Sequence, residues 1–395
     1  MNPLLLITAV LIALAVLFFL EKKNQNRRLR RIPLRICVTG TRGKSSVTRM
    51  LVCVLRASGK KVVARTTGSE PILHLPDGTE HLLHRRGMPN ILEGKRIVQE
   101  AVRREADVLV TELMAVRPET LHVESALIFQ PHLLVLTNSR ADHLDTMGAS
   151  PAKIAAALTA AFPPGGTVFL PEEEMDPIFE RAADERGAVL IGVSPDEVPL
   201  RKEGETYPLE FSINRRLCAA VARRLDVPDE EIKRGLARYE PDFGALQVWE
   251  LEADNSRETA LAVSAFAAND PLSTRMALES LKERTAGYVR RIGLLNLRPD
   301  RGDRTRQWQS ALLEQNFLEI DEFVLLGEPV RPVQKKLRAA GYSVPCVFGP
   351  GVRPDVLMNN LFDRFGGGFV LLGVGNMAGA AARLVRHWEK TGKRS

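Results

Sequence analysis

The stretch ICVTGTRGKSSVTRM, residues 36–50, sets two glycines, a lysine and two serines between an apolar run and a helical one. A strand that turns sharply into a helix aims backbone N–H groups and the positive end of the helix dipole at an anion. Lys44 supplies a cation for terminal phosphates and Ser45 a hydroxyl for Mg²⁺. Gly40, Thr41, Arg42, Gly43, Lys44, Ser45 and Ser46 are therefore a candidate phosphate cradle. The outer glycine usual in such loops is absent: Val38 holds its place, and the turn begins at Gly40.

Glu112 ends the apolar run DVLVTEL, and His143 follows HLLVLTN within TNSRADHLDTMG. Ligands of open α/β sheets gather beyond the carboxyl ends of strands, which puts both residues at the same crevice as Lys44. Ser45, Glu112 and His143 form a candidate metal set, with Lys44, Glu112 and His143 as candidate catalytic groups. Imidazole is an unusual ligand for an ion as hard as Mg²⁺. Taken singly, Glu112 reads equally as a solvated strand-end acid and His143 more readily as an ordinary histidine; their joint spacing with the loop is what singles them out.

These residues need elements to hold them. Apolar runs predict strands at 35–38, 60–66, 107–113, 132–138, 166–170 and 188–193, and helical periodicity predicts helices at 45–57, 93–105, 151–161 and 228–239. Such alternation argues for a parallel sheet flanked by helices. The stretch EPDFGALQ, 240–247, breaks the pattern, and a second alternating unit with a helix at 271–284 follows as a separate α/β domain. The run GVGNMAG, 373–379, reads as tight turning and close packing, because a lone Gly-x-Gly is weak evidence for a second nucleotide site.

At 395 residues the chain is long enough for about two or three domains. Residues 1–35 hold seven Lys and Arg against one Glu, so this segment accounts for six of the seven net positive charges, and the body has no basic face for nucleic acid. The basic cluster follows an uncharged apolar run at 3–20, just long enough to span a bilayer. With no positive charge before the run and bulky Phe18, Phe19 and Leu20 at its end, it reads as a retained anchor, and the cluster after it places the rest of the chain in the cytoplasm. The four cysteines form no C-x-x-C pair, as expected of free thiols in a reducing compartment.

Together VTGTRGKSSVTRML, TEL, TNSRADHLDTMG and SINRRLCAAVARRLDVPDEEIKRGLARYEPDFG resemble the Mur-type amide ligase superfamily, which includes muramyl-peptide ligases and folylpolyglutamate synthase. More narrowly, TTGSEPILHLPDG, RRGMPNILE and TELMAVRPE, joined to an N-terminal anchor, resemble the ligase subunits of bacterial poly-γ-glutamate synthases. The resemblance implies a transmembrane helix at 1–20, a basic juxtamembrane linker at 21–35, a P-loop ATPase domain with a parallel sheet at 36–245 and a Rossmann-like α/β domain at 246–395. It implies ATP and Mg²⁺ as cofactors, Asn214 near the adenine, and Asn138, Asp142 and Asp145 shaping the loop of His143. Arg301 and Asp303 in RPDRGDRTR resemble a turn that such ligases bring onto the nucleotide when the C-terminal domain closes. The family's carbamylated lysine has no counterpart, because Lys153 comes too early, and Ala245 stands where many members carry Arg.

The activity implied is ATP-dependent, ADP-forming ligation of glutamate into poly-γ-glutamate at the cytoplasmic face of a bacterial membrane. The expected partners are glutamate, the growing chain, membrane-embedded synthase and export subunits, inner-membrane lipid and further copies of the same chain. Solvated surface charge is the default for any arginine, yet guanidinium binds carboxylate in a bidentate way, which makes Arg85, Arg86 and Arg117 candidates for substrate recognition beside that default. Alternatives are a ligase acting on a cell-wall peptide or folate, and a membrane-anchored ATPase that regulates export.

Overall fold

Strands of a parallel sheet are buried on both faces and so read as near-continuous apolar runs. The computed structural model describes residues 3–394 except 69–70, 85–86, 88, 140–149, 196–208, 242–245, 255–256, 269–270, 301 and 314–317, and leaves out a few further side chains, among them Asp303. The chain divides into two compact units, Met1–Thr206 with Glu210–Glu240, and Tyr207–Leu209 with Pro241–Ser395.

In the first unit, β1 (Leu34–Thr39), β2 (Val62–Thr66), β3 (Ile72–His74), β4 (Glu80–Leu82), β5 (Val108–Glu112), β6 (Leu133–Leu136), β7 (Thr167–Pro171) and β8 (Val189–Val193) form one sheet in the order β4-β3-β2-β5-β1-β6-β7-β8. The strands from β2 across to β8 pair in parallel. The chain leaves β1 toward β2 on one side and leaves β6 toward β7 on the other. The crevice between their carboxyl ends is thus the switch point at which such sheets take ligands. Helix α2 (Lys44–Ala57) starts there and buries Val47, Met50, Leu51, Val54 and Leu55, the stripe its periodicity predicts.

Strands β3 and β4 were not expected from the sequence. They add an antiparallel edge through a turn in which Gly78 N–H donates to Leu75 O at 3.0 Å. Buried His74 meets Glu80 Oε1 at 3.0 Å and Arg49 of α2 meets the same oxygen at 3.1 Å, which ties the edge to the helix. The hydrogen bond from His74, aided by Arg49, draws the Glu80 carboxyl from the ordinary 4.5 down to about 2. A carboxyl depressed on folding stabilises the native state above its unfolded value and loses that contribution as pH falls. Glu80→Gln should therefore lower the neutral-pH unfolding midpoint and flatten its decline between pH 4.5 and about 2, followed by circular dichroism.

Helix α1 runs unbroken over Pro3–Leu29, so residues 21–29, expected as a linker, continue it. Its second half is docked: Leu29 and Ile32 just beyond are 1% exposed, and Gln25 Nε2 donates to Ile128 O at 2.9 Å. Arg35 closes the junction, donating to the carbonyls of Leu29, Ile32, Phe129 and Gln130 at 2.9–3.1 Å. Among the described residues no helix is long and apolar enough to cross a membrane. The transmembrane span expected at 1–20 is therefore not found; its apolar run forms the first part of α1, where Leu11, Phe18 and Phe19 are each more than 60% exposed. A chain beginning at residue 21 should unfold within a few degrees of the full chain in the same detergent. One beginning at 33 forfeits two buried aliphatic side chains, about 3–6 kcal/mol, and should melt far lower in a thermal scan.

In the second unit, β9 (Gln247–Glu252), β10 (Thr259–Ser264), β11 (Arg290–Leu297), β12 (Glu322–Gly327), β13 (Ser343–Phe348), β14 (Phe369–Gly375) and β15 (Lys393–Arg394) form a sheet ordered β13-β12-β11-β14-β10-β9-β15. Its five strands from β13 to β10 are parallel, and β9 and β15 pair antiparallel at the edge. The helix predicted at 271–284 is two, Pro271–Glu279 and Lys282–Thr285. The GVGNMAG run packs closely: a Cβ on Gly373 would meet the Phe266 ring at 2.4 Å.

Candidate active site

The loop after β1 turns through Gly40 at φ +124° and Gly43 at φ +81°, backbone that side chains other than glycine's rarely adopt. A Cβ on Gly40 would lie 2.2 Å from Thr137 Oγ1, and one on Gly43 would lie 2.7 Å from Asn214 Oδ1. Gly43 also caps α2, whose first residues are Lys44, Ser45 and Ser46, all half-buried. Lys44 Nζ donates to the carbonyls of Gly40 and Thr41 at 2.8 and 3.2 Å, which curls it over the inside of the loop.

The end of β6 holds this loop in shape. Asn138 Oδ1 accepts from Thr41 Oγ1 at 2.5 Å and Arg42 N–H at 3.1 Å, and its Nδ2 donates to Arg42 O at 3.1 Å. Thr137 Oγ1 donates to Arg42 O and to Thr39 O. Asn138 thus acts on the phosphate loop itself, beyond its expected part in shaping the loop of His143, because β6 lies beside β1 at the switch point. Asn138→Ala removes three hydrogen bonds and should weaken ADP binding about ten- to hundredfold by isothermal titration calorimetry.

Glu112 ends β5, beside β1, and is 3% exposed. Its Oε2 accepts from Ser45 Oγ at 2.8 Å and from Thr67 N–H, just past β2, at 2.7 Å. Among the described residues both partners fall on Oε2, which leaves Oε1 for another ligand. A hydroxyl and a carboxylate joined at the head of a phosphate cradle suit Mg²⁺, which takes one or two protein oxygens and completes its shell with phosphate and water. No group of three or more His, Cys, Asp or Glu side chains that could hold a metal ion occurs among the described residues.

Asn214, on the helix Leu209–Arg224, is 7% exposed and lines a small pocket with Gly43, Asn138, Pro171, Ile213 and Glu174. The pocket adjoins the loop through Arg42 and Gly43. Glu174 Oε2 accepts from the N–H and Oγ of Ser139 at 2.9 and 2.8 Å, and Arg216 Nη2 donates to both carboxylate oxygens of Glu173. Sequence reasoning gave no role to Thr67 and Thr137, although they lie within TTGSEPILHLPDG and TNSRADHLDTMG, nor to Glu173 and Glu174 just past β7, which belong to no motif.

The structure thus brings together Gly40 to Ser46, Glu112 and Asn214. His143, Asp142, Asp145, Arg85, Arg86, Arg301 and Ala245 lie outside the described residues, as does the side chain of Asp303 on the helix Gly302–Leu312. Arg117 is exposed at the start of the helix Pro118–His122. Cys37 and Cys218 are buried free thiols, and burial raises both above the ordinary thiol value.

A family model for the Mur ligase middle domain matches residues 38–204, and one for the poly-gamma-glutamate synthase CapB C-terminal domain matches residues 250–391. The capsule biosynthesis protein CapB of Bacillus anthracis is 31% identical over 378 residues, 92% of this chain and 78% of that protein. PGA synthase CapB of Bacillus subtilis (strain 168) is 30% identical over 385 residues, 96% of each. The bifunctional folylpolyglutamate synthase/dihydrofolate synthase of Yersinia pestis, solved with AMPPNP and a Mn ion, aligns with a TM-score of 0.66 at 16% identity, over 94% of this chain and 92% of that one. That likeness shows a shared fold.

Proposed function

Since the chain belongs to the CapB family of the Mur ligase superfamily, we propose that it joins glutamate units into poly-γ-glutamate by ATP-dependent amide ligation. The observation that carries this reading is the contact of Ser45 with Glu112, 2.8 Å apart at the mouth of a glycine-shaped phosphate loop.

A free carboxylate cannot be displaced directly by an amine, because its oxygen is a poor leaving group. In the proposed reaction a carboxylate oxygen of the acceptor attacks the γ-phosphorus of ATP, and the bond from that phosphorus to the bridging oxygen breaks to release ADP. The amine of the incoming unit then attacks the acyl carbon, the bond to phosphate breaks, and the ammonium proton is lost. Phosphoryl transfer of this kind asks a protein for positioning and charge neutralisation more than for covalent chemistry. The N–H groups of the loop and first turn of α2 orient the phosphates, and Lys44 exchanges its carbonyl partners for phosphate oxygens. Mg²⁺ held by Ser45 and Glu112 would neutralise charge on the β- and γ-phosphoryl oxygens. His143 belongs to the same proposal as a neighbour of the γ-phosphate or of a second ion, with Arg301 and Asp303 on the nucleotide and Arg85, Arg86 and Arg117 on substrate carboxylates.

The exposed apolar half of α1 followed by seven basic residues supports a place at the cytoplasmic face of a membrane, where the product would pass to membrane-embedded partners. ADP release by the detergent-solubilised protein should require glutamate or polyglutamate and yield an amide-linked product. With ¹⁸O in the substrate carboxylate, one label should appear in phosphate. Hydrolysis indifferent to glutamate, or unlabelled phosphate, would overturn the proposal.

A further inference from the structure

Arg65, at the end of β2, and Glu124, in the π-helix Val123–Phe129, form an ion pair of 2.7 Å between side chains that are both 0% exposed. Neither touches the phosphate loop through any contact described above. Burying two charges costs about what their attraction returns, so a well-packed apolar pair would serve stability as well. The partners of the pair point to a different role.

Strand β5 ends at Glu112, and the backbone beyond it leaves the ladder. Arg65 Nη2 donates to the carbonyl of Glu112 at 2.8 Å. Glu124 Oε2 accepts from the N–H groups of Met114 and Ala115, at 2.9 Å each. Between these two ties, Leu113 N–H donates to Val38 O at 2.9 Å, which anchors the segment to the strand that feeds the loop. The Arg65 guanidinium lies 5.2 Å from the centre of the Phe129 ring, at the far end of the same π-helix. Short π-helical turns are rare and concentrate at functional sites, and this one places Glu124 beneath the strand end. Arg65 also fixes the end of β2, two residues before Thr67, whose N–H binds the Glu112 carboxylate at 2.7 Å.

We propose that Arg65 and Glu124 are positioning residues for the Glu112 carboxylate: the buried pair clamps the backbone on both sides of Glu112, so that its side chain meets Ser45 at ion-binding geometry. The inference rests on the proposed function only in taking Glu112 as a metal ligand. Groups that orient a ligand in this way typically cost ten- to a hundredfold in metal affinity when lost.

The test uses the full chain and Mn²⁺ as a probe, with free Mn²⁺ read by electron paramagnetic resonance in the presence of ADP. In Arg65→Met/Glu124→Gln the amide oxygen still accepts from Met114 and Ala115, Met fills much of the space, and the donor to the Glu112 carbonyl is lost. Mn²⁺ affinity should fall about tenfold or more. ADP affinity in EDTA should stay at the wild-type value, because the loop is held from Asn138. A merely structural role would lower the unfolding midpoint or both affinities together, and that result, or wild-type Mn²⁺ affinity, would overturn the proposal. Should the double variant not fold, Arg65→Lys keeps the charge but is one bond shorter, so its ammonium falls short of the point from which Nη2 donates to both the Glu112 carbonyl and Glu124. An intermediate Mn²⁺ affinity there supports the clamp, and a wild-type one overturns it. Glu112→Gln run alongside separates the metal assignment from the clamp. Undiminished Mn²⁺ affinity in that variant removes the metal assignment and the clamp with it, whereas a loss in Glu112→Gln alone removes only the clamp.

Discussion

Replacing Lys44 by alanine should lower glutamate-dependent ADP release about a thousandfold at saturating ATP, equivalent to ~4 kcal/mol of transition-state stabilisation. The ammonium sits over the inside of the loop, on the carbonyls of Gly40 and Thr41, and is the cradle's point charge for the phosphates. Charge grows on the bridging oxygen as the γ-phosphoryl group departs, and alanine leaves it uncompensated. The loop keeps its shape without Lys44, because Asn138 and Thr137 hold Thr41 and Arg42 from the neighbouring strand. The unfolding midpoint should accordingly stay within about two degrees, since surface-directed changes away from the core typically cost under ~0.5 kcal/mol. Lys44→Arg should recover little, because a planar fork does not replace a compact ammonium in a loop of this size. Activity retained in the alanine variant would take the loop out of the mechanism.

The second large effect is expected at Glu112. Glu112→Gln preserves an acceptor for Ser45 and Thr67 but removes the negative charge, so the fold survives while affinity for a divalent cation falls. Turnover should drop about a hundredfold or more at millimolar Mg²⁺ and recover in part when Mg²⁺ is raised, because the defect lies in binding the ion. A Mg²⁺ titration of initial rates separates this from a loss of chemistry, which added metal would not repair. Glu112→Asp keeps the charge but withdraws it by one methylene, and should fall between the two. A Mg²⁺ dependence unchanged from wild type in the glutamine variant would show that the carboxylate serves only to tie β5 to α2.

Much of the catalytic half was legible because its determinants are local. The strand, the positive-φ glycines, Lys44, Ser45 and the apolar stripe of α2 are contiguous, and each follows from what its own residue type permits. The buried parallel strands were legible for a related reason, as their apolar runs need no partner to be recognised. The edge strands β3 and β4 were not: each has three residues, too few for a period to register, and they exist because β2 offers them an edge. The continuation of α1 through residues 21–29 was hidden by its basic composition, which resembles a solvated linker until Gln25 and Leu29 are seen docked.

By itself the sequence determined which residues could carry chemistry, and that a glycine-shaped loop stands at the head of an α/β sheet. Only the tertiary structure decided which residues act on one another. Asn138 grips a loop 97 positions away and Arg65 meets Glu124 across 59, contacts no motif announced, whereas the meeting of Ser45 with Glu112 across 67 was expected from their shared crevice. The physical reason is strand order: β5, β1 and β6 are neighbours in space although two long crossovers separate them in the chain, and neither periodicity nor spacing encodes that adjacency.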